Sequence, residues 1–212
     1  MEQLPMSLQL EPAESGLGFA LRTLRAHAVP FQRGMQWIDL RRDAPLDQLA
    51  VRRVAWSLNT DLQEFSARIP TVDPGSGKGW VRLGGQRFRR SVACTSHYAK
   101  VCPACLRERG IARLSWMLRA TVGCVWHGYS LITRCERCCA PIGWSRPDVG
   151  TCRCGFPFKV QPQVEPAEPL VQAWLTWVEY SLSPADVRLE SLLRVAPAPA
   201  ALTADDDPLG GL

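Results

Sequence analysis

The sequence predicts a mainly α-helical fold with small zinc-ribbon β elements, in which an N-terminal helix-turn-helix-like domain precedes tandem zinc-binding ribbons. Two patterns carry this prediction: apolar residues recur at helical spacing before residue 72, and closely spaced cysteines follow between Cys94 and Cys154. We divide the chain into a helical domain (1–72), a linker and basic stretch (73–93), tandem zinc ribbons (94–160), a C-terminal helical segment (161–195) and a disordered tail (196–212).

Two predicted helices open the chain. In "SGLGFALRTLRAHAV" a serine is placed to cap the helix start and three leucines share one face; these are Ser15, then Leu17, Leu21 and Leu24. A second helix is predicted through "LDQLAVRRVAWSL", with apolar positions at Leu46, Leu49, Val54 and Leu58.

A third, short helix is predicted in "NTDLQEFSARI", directly after a tight Asn-Thr turn. Thr60 and Gln63 have the spacing of a capping box, ahead of apolar Leu62, Phe65 and Ile69. Two helices across a tight turn predict a helix-turn-helix. Any small helical bundle also contains such a pair, so a DNA-reading motif and a plain bundle both stay open.

Positive charge is concentrated in the middle of the chain. The net charge of +5 combines about +12 over residues 78–159 with about −1 before them and about −6 after them. Such a block predicts an anionic partner such as nucleic acid, although a solvated basic face would have the same composition. The leading candidates for phosphate contacts are Arg87, Arg89, Arg90, Arg107, Arg109 and Arg113.

Nine cysteines allow three interpretations: a redox-active thiol pair, a disulfide framework or a metal site. A chain of 212 residues does not need disulfides to stabilise a core. It has no apolar run long enough to span a membrane, and its start, "MEQLPMSLQLEPAES", lacks the features of a secretion signal. We therefore expect a reducing, cytoplasmic compartment and no membrane partner, which favours metal ligands or catalytic thiols.

The cysteine spacing predicts two Zn²⁺ sites. The first set, C-x2-C-x18-C-x2-H, consists of Cys102, Cys105, Cys124 and His127, and the second, C-x2-C-x13-C-x-C, consists of Cys135, Cys138, Cys152 and Cys154. Two short-spaced pairs supply the four tetrahedral ligands of a zinc ion without strain. A redox C-x-x-C pair normally opens a helix in a βαβ unit, and nothing in this sequence resembles that unit.

Two cysteines, Cys94 and Cys139, remain outside these sets, and His97 lies three residues after Cys94. Cys139 is an alternative to Cys138, but the residue after a second ligand often needs a backbone angle that favours glycine, so we assign Cys138 as the ligand. Cys94 and His97 do not fill a coordination sphere by themselves. We interpret them as a buried or interface thiol and a structural or surface histidine.

Both predicted zinc sets are closed. A catalytic zinc keeps one position open for water and has a general base nearby, whereas thiolate-rich, four-ligand sites are structural. The stretch "DPGSGKGW" at 73–80 lacks the spacing of a phosphate-binding loop and is interpreted as a flexible linker. The sequence therefore predicts no catalytic residue and no enzymatic activity.

Several tryptophans are predicted to pack inside the fold. In "PLVQAWLTWVEYSL", Leu170, Trp174 and Trp177 have helical spacing, and core packing is favoured over docking in a partner groove. Core packing is also favoured over base stacking for the tryptophans that accompany the cysteines, namely Trp80, Trp116, Trp126 and Trp144.

The stretch "ESGLGFALRTL" resembles the opening E-S-x-x-S-x-L-x-R motif of the TniQ/TnsD family, with Glu14, Ser15 and Arg22 at the matching places. The segments "CPACL", "CVWHGYSL", "CERC" and "CRCG" are similar to that family's C-P-x-C-L, C-x-x-H-G-x-x-L, C-x-x-C and C-x-C-G series, and the likeness extends over roughly 4–158. Gly18 stands where the first motif usually has Ser, and Cys139 where Gly is expected.

The resemblance implies a bacterial, cytoplasmic adaptor that selects the target site in DNA transposition and recruits an AAA+ ATPase regulator, which brings in the transposase. Short forms similar to this chain work in RNA-guided transposition. The implied partners are that ATPase, a CRISPR effector or another target-recognition complex, DNA and guide RNA. The alternative is a stand-alone, zinc-containing, sequence-specific DNA-binding protein, either a target-site selector or a transcription regulator.

Overall fold

The computed structural model describes residues 3–30, 33–34, 36, 46–73, 79–89, 98–162, 164–166 and 168–182. Five positions or segments with predictions attached lie outside these residues: the loop 74–78, Arg90, Cys94, His97 and the tail 196–212. Helices occupy much of the N-terminal part and the C-terminal end, with short strands and 3-10 turns between them. The predicted fold class is confirmed in this coarse form, a mainly helical chain with small β elements.

Helix α1 (Gly16–Ala26) begins where the sequence predicts. The Ser15 hydroxyl accepts a hydrogen bond from the backbone N–H of Gly18 at 3.1 Å, which satisfies one of the free donors of the first turn. Leu21 and Leu24 are buried on the face that packs into the core.

A buried ion pair fixes the segment before α1. Glu14 is fully buried, and its carboxylate accepts hydrogen bonds from Arg22 Nε at 2.9 Å and Arg22 Nη2 at 2.7 Å. Arg22 also donates to the carbonyl of Gln9 at 2.7 Å. The hydrogen bond to Glu14 raises the pKa of Arg22, so this pair stays charged and holds the chain entry against the helix.

Helices α2 (Gln48–Ser57) and α3 (Leu62–Ala67) form the predicted helix pair. The cap of α3 is Asp61, whose carboxylate accepts from the N–H of Glu64 at 2.8 Å. The predicted Thr60 capping box is therefore wrong, because the aspartate one residue later takes the N-cap position. A helix-turn-helix geometry is not established by this pairing.

The predicted apolar face of α2 is buried at Leu46, Val54 and Leu58 and wrong at one position, Leu49. Val51, Val54 and Ala55 are buried, whereas Leu49 is 58% exposed. Leu46 is buried but lies before the helix, where it bridges Thr71. Apolar periodicity predicted the helix, but Asp47 is its N-cap and this sets which residues face the core.

A three-stranded antiparallel sheet follows, with strand order β1-β2-β3 formed by Thr71–Val72, Trp80–Leu83 and Gln86–Arg89. Part of the predicted linker and basic stretch is therefore a β-hairpin. Gly84 in its turn has φ +57°, and an added Cβ would lie 2.8 Å from Leu182 Cδ2, so both backbone angle and space require glycine. Four-residue strands are too short for their alternation to identify them in the sequence.

The C-terminal half begins with α4 (Pro103–Glu108) and contains two 3-10 helices, Leu114–Met117 and Phe158–Val160, and the strands β4 (Tyr129–Ser130) and β5 (Val164–Pro166). Helix α5 (Pro169–Leu182) packs against the first of these 3-10 helices. None of the helices in the described part of the chain has the length and apolar character needed to cross a bilayer.

The packing face of α5 corrects the prediction. Leu175, Val178 and Leu182 are buried, whereas Trp174 and Trp177 are 46% and 57% exposed and stack on each other with ring centroids 5.1 Å apart. The side chain of Leu170 lies outside the described ones. The three smaller aliphatic residues fit the contact surface, and the tryptophan pair shields part of its own apolar area by stacking.

The helical part and the cysteine-rich part share one hydrophobic core. The N–H of Ser15 donates to the carbonyl of Ala112 at 2.7 Å, and the N–H of Leu114 donates to the carbonyl of Ala13 at 2.8 Å. Gly18 allows this approach, because an added Cβ would lie 2.9 Å from Cβ of Ala112. The segments predicted as separate domains, 1–72 and 94–160, are therefore joined across a packed interface.

Candidate metal centres

The first predicted ligand set meets at one point. Sγ of Cys105 lies 3.5 Å from Sγ of Cys124, and Nδ1 of His127 lies 3.4–3.5 Å from the sulfurs of Cys102, Cys105 and Cys124. All four ligand atoms lie within 4.8 Å of one another. Tetrahedral zinc with Zn–S bonds of about 2.3 Å and Zn–N bonds of about 2.0 Å needs ligand separations of about 3.5–3.8 Å, which these distances match.

Local structure places these ligands. Cys102 is the N-cap of α4, and Pro103 starts the helix, where its missing N–H costs nothing. The other pair lies in a tight turn, in which the N–H of Gly128 donates to the carbonyl of Cys124 at 2.8 Å and Gly128 has φ +69°. Each of the C-x-x-C and C-x-x-H pairs therefore lies on a single backbone turn, which brings its two ligand atoms to the same side.

The second predicted set also comes together. Sγ of Cys135 lies 3.7 Å from Sγ of Cys154, Sγ of Cys138 lies 3.7 Å from Sγ of Cys152, and all four sulfurs lie within 4.8 Å of one another. Cys138, and not Cys139, contributes its sulfur to the group. All four sulfurs come from turn or loop residues, so this centre depends on its turns for shape.

The two turns of the second centre share a backbone geometry. Cys139 has φ +55° and its N–H donates to the carbonyl of Cys135 at 2.8 Å, while Gly155 has φ +83° and donates to the carbonyl of Cys152 at 2.9 Å. The left-handed angle that glycine favours is thus adopted by a cysteine at the first turn, as its position in the sequence suggests.

Both groups fit a metal ion better than a disulfide. The sulfur–sulfur distances of 3.5–3.7 Å are far from the bond length of about 2.05 Å, and the described cysteines are free thiols. Four soft or borderline donors at tetrahedral spacing fit Zn²⁺, and each group is complete without a water ligand. The two groups could therefore hold two metal ions.

Glu108 is a residue of the first centre that sequence reasoning missed. Its carboxylate lies 2.8 Å from Nε2 of His127, on the ring edge opposite the Nδ1 that faces the three sulfurs. A carboxylate in this position fixes the tautomer and orientation of a metal-binding imidazole. The available signal was its place on α4, three residues after Cys105 on the same side of the helix.

Arg113 is buried beside the first centre and corrects a predicted nucleic-acid contact. It is 4% exposed, its Nε lies 3.4 Å from Sγ of Cys105, and its guanidinium stacks 4.3 Å from the ring centroid of Trp126. A side chain held in this way does not present its charge to a surface phosphate. Hydrogen bonding to Cys102 and burial raise the pKa of the Cys105 thiol, and the charge of Arg113 opposes this rise.

Lys100 connects the segment before Cys102 with the loop that leads to Cys124. Its ammonium group donates to the backbone carbonyls of Leu118, Arg119 and Thr121, in the loop that leads to Cys124. Burial lowers the pKa of Lys100 to about 8, but three carbonyl acceptors satisfy all donors of the charged form. Lys100 therefore holds the segment before Cys102 against that loop.

The thiols of the first centre interact strongly. Hydrogen bonds from Cys105 and Cys124 lower the pKa of Cys102, whereas hydrogen bonding to Cys102 and to Cys105, followed by burial, raises the pKa of Cys124. One thiolate is favoured and each further one is opposed by the charge already present. A cation would remove this opposition, so metal binding releases protons.

Metal binding would also change the net charge of the basic block. The seven ligand thiolates carry seven negative charges and two Zn²⁺ ions carry four positive ones, so the charge of residues 78–159 would fall from about +12 to about +9.

Four other predicted phosphate contacts belong to the described residues, and all four lie at the surface. Arg87 and Arg89 are exposed and place their guanidinium groups 5.0 and 5.5 Å from the ring centroid of Trp80. Arg109 is exposed, and Arg107 is exposed but donates to the carbonyl of Lys159 at 2.7 Å. These arginines belong to two patches, one on the hairpin and one on α4.

Core packing, predicted for four tryptophans, is complete for two of them and partial for the other two. Trp116 and Trp144 are buried in the core. Trp126 is partly buried against the core and lies under Arg113, and Trp80 is partly exposed under its two arginines. Each of the latter two rings is thus occupied by a guanidinium group.

A family model described as TniQ matches residues 5–131, more than half of the 212 residues. The match includes the Glu14–Arg22 pair, the helical part and the whole first centre. It ends before Cys135, so the second centre lies outside it, although the motif likeness continues to about residue 158. A comparison with curated proteins gave no match.

Proposed function

Because the chain belongs to the TniQ family of transposition proteins, we propose that it is a non-enzymatic adaptor of target-site selection. In this role it bridges a target-recognition complex on DNA, such as a CRISPR RNA-guided effector, and the AAA+ ATPase regulator of the transposase. The observation that carries the proposal is the family match, which covers α1, the helix pair and the first centre together.

Two closed metal centres support a role without chemistry. We propose that each centre holds one structural Zn²⁺ ion. The four donors of each group leave no position for a reacting water, and the nearest acid to the first centre, Glu108, is engaged with His127. Zinc in these positions stabilises the turns that present basic side chains.

An adaptor needs two separable surfaces, and we place one on helix α2 and the other on the metal region. One is the exposed side of α2, where Leu49, Trp56 and the exposed Arg52 and Arg53 combine apolar and cationic groups. Exposed Trp and Arg are typical anchors of protein interfaces. The other is the metal region around Arg109. Arg22 is excluded from the first surface because Glu14 holds it.

The DNA-binding alternative depends on the helix pair. In a helix-turn-helix the second helix enters the major groove and reaches bases and phosphates. The exposed residues of α3 include Gln63 and Glu64, and Arg68, which follows the helix, is buried. An acid and no exposed arginine or lysine on this helix disfavour insertion into a polyanion, so the adaptor is the better-supported function.

A reconstituted insertion assay with the regulator, the transposase and the target complex tests the bridge. We expect Arg53→Glu to lose one partner in pull-down and Arg109→Glu to lose the other, and each variant to abolish on-target insertion while keeping its metal content. Arg33→Glu, the same charge reversal at an exposed arginine that belongs to neither α2 nor the metal region, is the control. Full-rate insertion without the protein, or binding of DNA alone by both surfaces, would favour the alternative.

A further inference from the structure

A basic pocket lies between the C-terminal end of α1 and the second centre, apart from the arginines discussed above. Its volume is about 690 Å³, and it is lined by Arg25, Arg146, Arg153 and Ser145, with apolar contributions that include Val29 and Pro147. None of the described residues that line it is an aspartate or glutamate. The pocket is within the size range of about 300–1,000 Å³ of ligand sites and carries three positive charges.

Arg146 is the rigid part of this pocket. It is 2% exposed, and its guanidinium lies 5.1 Å from the ring centroid of Trp144 and 5.5 Å from that of Phe158. Its Nε donates to the carbonyl of Asp148 at 3.0 Å, and its Nη1 donates to the carbonyl of Gly143 at 3.0 Å. Backbone and aromatic contacts therefore fix the plane of the guanidinium.

One nitrogen of Arg146 is left over. Its Nη2 is buried, and no described residue accepts a hydrogen bond from it. An unpaired donor on a buried charged group has a free-energy cost, because it has lost its hydrogen bonds to water without gaining others. A pocket-lining arginine that is oriented at this cost, with its remaining donors unused, is typical of a site prepared for an anion.

Negative charges nearby weaken the site without neutralising it. The carboxylate of Asp148 accepts from the N–H of Gly150 at 2.8 Å and from the hydroxyl of Thr151 at 3.1 Å, so it is engaged elsewhere. The carbonyl end of the α1 dipole also opposes an anion. Arg25 in its last turn offsets this effect, and Arg153 adds a second exposed guanidinium.

We propose that this pocket binds phosphate groups of a nucleic-acid backbone, with Arg146 as the fixed donor and Arg25 and Arg153 as the exposed ones. Guanidinium N–H groups match phosphate oxygens, with Nη2 as the unused donor of Arg146, and a pocket of this volume with three arginines fits a chain of successive phosphates better than a single carboxylate. The inference deepens the proposed function and rests on its nucleic-acid partner. In this proposal the pocket holds the nucleic-acid strand between α1 and the second centre.

Fluorescence anisotropy on the metal-loaded full chain tests this site, with a labelled single-stranded RNA and a labelled DNA duplex titrated over a range of NaCl concentrations. We expect Arg25→Gln and Arg153→Gln each to weaken binding by about 3- to 10-fold at low salt. The slope of log affinity against log salt should become shallower by about 0.7 for the single strand or about 0.9 for the duplex per lost phosphate. The probe that shows the loss identifies the source of the phosphate.

Two further variants separate a built site from general attraction. Arg146→Lys keeps the charge but not the planar fork, and we expect it to weaken binding while metal content stays at the wild-type value. Arg137→Gln removes one exposed charge of the same basic block outside the pocket. If Arg25→Gln and Arg153→Gln bind both probes with the affinity and salt slope of Arg137→Gln, the pocket is not a phosphate site. Pull-down of the protein partners tests the adaptor proposal independently of this result.

Discussion

The carboxylate of Glu108 lies 2.8 Å from Nε2 of His127, while Nδ1 of the same ring faces three cysteine sulfurs. We expect Glu108→Gln to lower zinc affinity at the first centre by about 10- to 100-fold, because the neutral amide lacks the negative charge that orients the imidazole and raises its basicity. Competition with a chromophoric chelator measures this, since one of the two ions should then be released at a lower chelator concentration.

Glu136→Gln is the matched control, because Glu136 is an exposed acid in the first turn of the second centre. We expect both ions to be retained as in the wild type. Equal weakening of both centres by Glu108→Gln would mean that the carboxylate acts through overall stability and not through His127.

The purified protein is expected to hold two zinc ions, and elemental analysis measures the ratio. Cys152→Ser should reduce it to one, because the second group then has three sulfurs. Cys139→Gly should keep two and gain up to about 1 kcal/mol of unfolding free energy, because a non-glycine residue is replaced at φ +55°. Retention of two ions by Cys152→Ser would contradict the ligand assignment. Zinc affinity should fall as the pH falls, since protons compete for the thiolates.

The ligand sets could be predicted from the sequence because short spacings within each pair leave few ways to close a turn. The residues around them could not. Glu108 and Arg113 lie in the same stretch as the ligands, and sequence position alone does not distinguish the arginine that packs on Cys105 from the exposed Arg109. The face of α5 was also mispredicted, because helical spacing identifies Trp174 and Trp177 as neighbours without deciding whether they face the core.

The close packing of Gly18 against Ala112 should make the stability of the protein sensitive to any side chain at position 18. Gly18→Ser, which introduces the residue usual in the resembling motif, should lower the free energy of unfolding by about 1–3 kcal/mol, because its Cβ would lie 2.9 Å from Cβ of Ala112. Gly79→Ser, at a glycine with no atom within 4 Å of an added Cβ, is the control and should stay within about 0.5 kcal/mol. Denaturant unfolding measures both, and Ala112→Gly should recover part of the loss if this contact is responsible.

The same substitution should have different effects at Arg113 and at Arg109. Arg113→Gln is expected to destabilise the protein by about 3 kcal/mol, because a buried charge that stacks on Trp126 and faces Cys105 is removed. Arg109→Gln should leave unfolding within about 0.5 kcal/mol and weaken binding to a DNA duplex. Thermal unfolding and anisotropy, measured on both variants, separate the two roles. Equal stability of the two variants would show that Arg113 is not structural.

Metal removal should loosen more than the cysteine-rich part of the chain. Structural zinc sites contribute about 10–16 kcal/mol, as much as the whole stability of a small domain, so chelation is expected to unfold residues 98–158. The N–H of Ser15 bonds Ala112 and that of Leu114 bonds Ala13, which joins the start of α1 to this part. After chelation, the amides of Gly18 and Phe19 should therefore exchange faster, as should the amide of Cys124. Gly18 and Phe19 carry the first hydrogen-bonded amides of the capped turn of α1. Full protection of the α1 amides while those of 98–158 exchange freely would mean that the shared core does not act as one cooperative unit.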